Sequence, residues 1–287
     1  MLLAVRWWME TRPQRARSLM VKTESTDERR QALSKVEILG VLVTAITIPE
    51  LHERLRYHIE RGQKALVLHA NVHCLNIARE QDWYRAFLNR ADIVFCDGVG
   101  VQLAARILGH RIPQRITYAD WMWQLGRLAE RNGYSLFFLG GRPGVADSAA
   151  RHLVRRFPRL RILGSHHGYF DKSMDSTENQ AVVAKINALK PDILVVGLGM
   201  PLQEKWLKEN WESAEASVAL TGGAVFDYVS GRLRRAPKWM TEAGLEWLGR
   251  LLIEPRRLWR RYLVGNPKFF WRVIRQRMGP TRARTPE

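Results

Sequence analysis

Four short stretches of the 287-residue chain set chemistry-bearing residues directly after an apolar, strand-like run. His69-Ala70-Asn71-Val72-His73 offers an imidazole and an amide, though His and Asn at such places also serve as helix caps and turn formers. Phe95-Cys96-Asp97-Gly98 offers a carboxylate between an apolar run and a helix start. Asp97 there reads either as an N-cap or as a partly desolvated base that accepts a proton from a hydroxyl nucleophile. Leu139-Gly140-Gly141-Arg142-Pro143-Gly144 reads as strand, glycine turn and helix start, where backbone amides and the helix dipole favour phosphate. It lacks the full spacing of a dinucleotide fingerprint. Gly197-Leu198-Gly199-Met200-Pro201-Leu202-Gln203-Glu204 repeats the arrangement, with Gln203 and Glu204 in the first helical turn. Glu204 complements the dipole there, and either side chain can reach a ligand in a cleft.

The elements that must position these groups alternate. Ile38 to Val43, Ala65 to Leu68, Ile93 to Cys96, Ser135 to Leu139, Ile193 to Val196 and Ser217 to Leu220 read as buried strands. Between them, Pro49 to Arg61, Ile77 to Asn89, Val99 to Leu108, Asp120 to Arg131, Pro143 to Phe157 and Ser176 to Leu189 carry helical, amphipathic patterns. Alternation of this kind predicts an α/β fold: a Rossmann-like, mostly parallel sheet with helices on both faces. In such a sheet ligands bind beyond the carboxyl ends of the strands, which is where all four stretches fall.

Charge divides the chain further. Lys and Arg number 46 against 28 Asp and Glu, a net charge of +18, which calls for an anionic partner. Residues 231–287 alone carry 15 basic residues against four acidic ones, together with Trp239, Trp247, Trp259 and Trp271. A basic, aromatic, amphipathic segment suits an interfacial helix on an anionic membrane, or a helical hairpin packed on the body. No nucleic-acid motif with stacking aromatics accompanies it, so nucleic acid is not an expected partner. Two cysteines, Cys74 and Cys96, supply neither a disulfide framework nor a four-ligand zinc site. The stretch Ile38 to Ile48 is too short to span a membrane. The expected organisation is a poorly ordered leader over 1–35, an α/β catalytic domain over 36–232 and a membrane-associating appendage over 233–287.

Taken in order, these motifs resemble the WecG/TagA/CpsF glycosyltransferases, family 26. The resemblance is carried by Asn71, Asp97-Gly98, Arg115 with Asp120, Phe138-Leu139-Gly140-Gly141, His167-Gly168-Tyr169-Phe170 and Pro191-Asp192-Ile193-Leu194. It continues through Gly197 to Glu204, Gly222-Gly223 with Phe226-Asp227, Arg235-Ala236-Pro237-Lys238-Trp239, Gly244-Leu245-Glu246-Trp247 and Glu254-Pro255-Arg256-Arg257. It implies an inverting hexosyltransferase that moves a sugar, commonly N-acetylmannosamine or its uronic acid, from a UDP-sugar to a polyprenyl-diphosphate-linked N-acetylglucosamine in surface polysaccharide or teichoic-acid synthesis. It places the protein peripherally on the cytoplasmic face of the cell membrane, against anionic lipids. By position, Asp97 becomes the candidate general base. His69, Asn71, Arg115, Asp120, Gly140, Gly141, Gln203 and Glu204 become candidate substrate-binding residues, and Arg250, Arg257 and Arg260 the appendage arginines that face the diphosphate.

An inverting displacement needs one base and something to stabilise charge on the departing UDP. Many nucleotide-sugar enzymes use a metal held by Asp-x-Asp, which this chain lacks. Positioned arginines can do the same work, so the expectation is an enzyme without metal or other cofactor. The chain departs from the usual family pattern at His69, where Thr is common, and at Tyr118, where a small residue is usual. These departures keep UDP-glucose or a UDP-uronic acid open as donor, and a homo-oligomer is equally open. An NAD-dependent oxidoreductase would need the missing fingerprint. A non-enzymatic membrane or nucleic-acid binder would leave Asp97, Arg115 and Gln203 without a reason to sit at strand ends.

Overall fold

A computed structural model of the chain describes residues 33–279, and the expected leader lies outside them apart from its last residues. The sheet has eight strands: β1 (Lys35–Ile38), β2 (Val41–Thr44), β3 (Ala65–Ala70), β4 (Ile93–Cys96), β5 (Ser135–Gly140), β6 (Arg161–His166), β7 (Ile193–Gly197) and β8 (Val218–Thr221). Their order is β1-β2-β4-β3-β8-β7-β5-β6, parallel throughout except for the β1–β2 hairpin. The run Ile38 to Val43, expected as one strand, folds back on itself because Leu39 and Gly40 both take positive φ, 53° and 85°. Strands β3, β4, β5, β7 and β8 are buried end to end, as their continuous apolar sequences require. Their starts are pinned by carboxylates at the end far from the four polar stretches. Asp92 accepts from the Leu66 amide at 2.8 Å, and Asp192 from the Ser135 amide at 2.7 Å.

The helices of the body are α1 (Ile48–Glu60), α2 (Val72–Glu80), α3 (Asp82–Arg90), α4 (Val99–Ile107), α5 (Tyr118–Asn132), α6 (Val145–Arg156), α7 (Thr177–Leu189), α8 (Leu202–Asn210) and the short α9 (Val225–Val229). Right-handed crossovers send connections running in opposite directions along the sheet to opposite faces. Accordingly α3 packs on α8 on one side, while α1 packs on α5, and α9 on both α5 and α6, on the other. The expected helix Ile77 to Asn89 is two helices. Gln81 is extended (φ −129°, ψ 108°), ending α2 and admitting Asp82 to the first turn of α3, where its charge suits the dipole.

The appendage begins with α10 (Lys238–Glu242), α11 (Glu246–Ile253) and α12 (Pro255–Trp259), then a π-helical turn at Arg260–Val264 and α13 (Gly265–Met278). It divides its apolar residues between two surroundings. Phe269 and Val273 are fully buried against the body, where α13 packs on α2 and α4. Asn76 donates to the Gly265 carbonyl at 2.8 Å, Arg272 pairs with Glu80 at 3.0 Å, and Gln276 accepts from the Leu39 amide at 2.9 Å. Trp239, Leu252, Ile253, Trp259, Leu263, Trp271 and Met278 remain exposed. Among the described residues no helix is long and apolar enough to cross a membrane.

Candidate active site

The carboxyl ends of β4, β3 and β8 lie side by side, and the appendage supplies charged groups above them. Asp97 follows β4 with its amide bonded to the Ala70 carbonyl at 2.8 Å. It is not the cap of α4: Gly98, at φ 110°, takes that position, so the carboxylate is left to face the cleft. Its side chain keeps 23% of its surface exposed, enough for a substrate to reach it. Burial in this setting pushes its pKa up to about 6, against the opposing pull of Arg261, the Asn71 amide, Arg250 and Arg115. A carboxylate of that basicity is ionised at neutral pH and a better proton acceptor than an ordinary Asp.

Asn71 does two jobs. Its Oδ1 caps α2 by accepting from the Cys74 amide at 3.0 Å, and its side chain helps hold the Asp97 pKa down. His69 is buried within β3, where desolvation lowers its pKa to about 4, and the imidazole is therefore neutral. Its Nε2 lies 3.8 Å from Asp97 Oδ2 and its Nδ1 2.9 Å from the Thr221 hydroxyl. His73, at the start of α2, is likewise held neutral by burial, with a pKa of about 4. Arg115 precedes α5 and donates to the Thr241 carbonyl of the appendage at 3.1 Å.

Several residues expected to touch substrate are engaged otherwise. Gln203 has no exposed surface. Its Oε1 accepts from the amides of Gly223 at 2.9 Å and Gly199 at 3.3 Å, and its Nε2 donates to Glu204 at 2.8 Å. It thus ties together the loops after β7 and β8. Glu204 is also fully buried, and desolvation raises its pKa to about 7. Asp120 is gripped by Arg235, which also faces Glu246 at 3.4 Å. Gly140 ends β5 and Gly141 follows it, and the reason for glycine at 140 is backbone approach: a Cβ there would stand 2.2 Å from the Gly197 carbonyl oxygen, at a φ of 141°.

The appendage arginines are sorted by the helix turn that carries them. Arg250 is mostly buried, its guanidinium 5.5 Å from the Tyr228 ring centre, with Glu254 at 3.5 Å. Arg257 is exposed and paired with Glu254 at 2.7 Å, and Arg260 is exposed over Trp259. Neither is among the groups that act most on Asp97. Beside Arg250 and Arg115, the arginine with the largest effect on Asp97 is Arg261, which sequence reasoning passed over; its Nε is buried without a partner, and burial lowers its pKa. The signal was present: Arg261 lies three residues after the buried Leu258 and beside the buried Tyr262, on the inward face of the turn, whereas Arg260 points the other way.

The assembled site is a raised-pKa carboxylate at a strand end, a neutral histidine behind it, and the guanidiniums of Arg115, Arg250 and Arg261 around it. It suits removal of a proton from a nucleophile beside an anionic leaving group. The sequence similarities agree. Residues 36–283 match the model of the "Glycosyl transferase WecG/TagA/CpsF family". The N-acetylglucosaminyldiphosphoundecaprenol N-acetyl-beta-D-mannosaminyltransferases of Staphylococcus aureus strains NCTC 8325 and MRSA252 are each 29% identical over 252 residues, 87% of this chain and 96% of theirs. With the match running through every strand and most of the appendage, the chain belongs to the WecG/TagA/CpsF family of glycosyl transferases and is an enzyme of glycosyl transfer.

Proposed function

We propose that the enzyme transfers N-acetylmannosamine, with inversion, from its UDP derivative to N-acetylglucosamine carried on a polyprenyl diphosphate. The observation that carries this is the Asp97 carboxylate, raised in pKa and accessible at the end of β4 among Arg115, Arg250 and Arg261. Asp97 takes the proton of the acceptor hydroxyl as its oxygen bonds to the anomeric carbon, and the bond from that carbon to the UDP oxygen breaks in the same displacement. The guanidiniums offset the charge that builds on the departing diphosphate. Asn71 holds Asp97 in place, and Gln203 fixes the glycine loops that border the cleft.

The reading includes metal independence. Its support is the set of guanidiniums that act on Asp97, which can offset charge on a departing diphosphate. The names of the S. aureus relatives support the lipid-linked acceptor. Exposed Trp239, Trp259, Leu263 and Trp271 among basic residues support docking of the appendage on the anionic inner face of the cytoplasmic membrane. UDP release with EDTA present, offering UDP-N-acetylmannosamine, its uronic acid or UDP-glucose with a polyprenyl-diphosphate N-acetylglucosamine acceptor, tests the reading. Acceptor-dependent release with the first donor supports it; an absolute need for divalent metal, or preference for another donor, overturns the corresponding part.

A further inference from the structure

Three neighbouring strand ends, those of β4, β3 and β8, carry the partly exposed Asp97 and the buried His69 and Thr221 in one line. The Thr221 hydroxyl has no exposed surface and touches His69 twice: the His69 backbone amide donates to it at 3.3 Å, and ring Nδ1 stands 2.9 Å away. A hydroxyl has one hydrogen to give. With one of its lone pairs taken by the His69 amide, the hydroxyl still has its hydrogen to give to Nδ1, and the carboxylate beside the opposite ring nitrogen, which can only accept, favours the tautomer in which Nδ1 is the unprotonated one. A neutral imidazole carries its single hydrogen on the other nitrogen, and that nitrogen, Nε2, is the one 3.8 Å from Asp97 Oδ2. The ring is fixed by Tyr118, edge-on with centroids 5.2 Å apart, and by Phe95 at 6.1 Å. Its side chain is almost wholly enclosed, which places it behind Asp97 rather than in an open pocket lining.

We propose that His69 is a positioning residue for Asp97: Thr221 holds it in the Nε2–H tautomer, so that a neutral donor faces Oδ2 and the other carboxylate oxygen is left for the acceptor hydroxyl. The 3.8 Å separation is that of the free enzyme, and contacts of this kind shorten when the site is occupied. A neutral donor suits the site better than a cation. It orients the carboxylate and favours its charged form without cancelling the charge that makes it a base. Burial keeps the imidazole neutral, at a pKa of about 4, well below that of Asp97. The other groups acting on Asp97 or acted on by it are Arg261 of the π turn, Arg250 and Glu246 of α11, and Arg115. Tyr118, Tyr228, Cys74 and Cys96 also feel its charge and are held neutral by burial. His69 is the group placed behind Oδ2.

The proposal rests on Asp97 as the base, and its test separates the two. The tautomer of His69 is read by 15N NMR in the full-length enzyme, and the Asp97 carboxyl titration by 13C NMR, with Asp97→Asn providing the assignment. The wild type is expected to show Nε2–H. His69→Gln can place an amide nitrogen where Nε2 stands and keeps the Asp97 midpoint; His69→Asn stops short of it and raises the midpoint by about 1 pH unit. Thr221→Val frees the tautomer and raises the midpoint in the same direction. An Nδ1–H tautomer in the wild type, or equal midpoints for the Gln and Asn variants, overturns the proposal. If His69→Asn fails to fold, the wild-type tautomer and the Thr221→Val titration decide. Undiminished UDP release by Asp97→Asn would instead overturn the base assignment, leaving the tautomer to be judged on its own.

Discussion

Arg235 of the appendage and Asp120 at the head of α5 form a two-pronged ion pair, with Nη2 2.7 Å from Oδ2, across 115 positions of sequence. Arg235 also faces Glu246, so one guanidinium joins the body to the helix that carries Arg250. Asp120 is half exposed, so the pair contributes modestly to stability, on the order of 0.5–1 kcal/mol. Its larger role is to hold the appendage over the cleft. Asp120→Ala is expected to move the melting temperature little while lowering kcat/KM for the lipid-linked acceptor about tenfold, with a Asp120/Arg235 double-mutant cycle showing coupling in activity. Additive effects of the two single variants would argue against the clasp.

Asp97 sets an acid limb. Its carboxyl must be ionised to accept a proton, and burial raises its pKa to about 6, so kcat/KM is expected to rise with pH through about 6 and then level. Stability runs the opposite way. A carboxyl whose pKa is raised on folding stabilises fully below its unfolded value, near 3.8, and loses that contribution as pH climbs to about 6. The loss is at most roughly 3 kcal/mol. Asp97→Asn is therefore expected to be more stable than wild type at pH 7 by denaturant unfolding, and less distinct from it at pH 4.

Glu204 adds a second such window. Desolvation raises it from 4.5 to about 7, so stability falls between those values as pH rises. Glu204→Gln keeps an acceptor for Gln203 and is expected to flatten the decline. An unchanged slope between pH 5 and 7 would contradict the burial of this carboxyl.

Gln203→Ala removes a fully buried acceptor of two backbone amides, at Gly223 and Gly199. The loss is expected to be about 1–3 kcal/mol in urea unfolding, because two partly buried N–H groups lose their partner. Gly140→Ala should cost about 3 kcal/mol or more, since the new methyl carbon meets the Gly197 carbonyl at 2.2 Å at a φ of 141°. If either variant matched wild type, the close packing of the β5, β7 and β8 ends would be refuted.

The buried strands were legible because parallel strands covered on both faces must be apolar throughout. β6 was not, because Arg161–His166 is an edge strand, partly exposed and mixed in composition. The hairpin in Ile38 to Val43 escaped because Leu39, a residue with no turn preference, takes the left-handed conformation beside Gly40. In the site, residue types at strand ends pointed to Asp97 and Asn71, and the structure brings the two together. They did not reveal that Gln203 and Glu204 turn inward or that Asp120 is engaged by Arg235, since those depend on loops distant in sequence. Of the arginines that act on Asp97, Arg250 was among those expected from the sequence, while Arg261 required following the apolar stripe of Leu258 and Tyr262 through the turn.

The central claim is that Asp97 is the base of a glycosyl transfer. The most direct test is acceptor-dependent UDP release from UDP-N-acetylmannosamine by wild type and Asp97→Asn at pH 7.5, with donor binding measured in parallel. The account predicts that turnover falls by about 10²–10⁴-fold while donor affinity and folding persist. Turnover within a few-fold of wild type would contradict it.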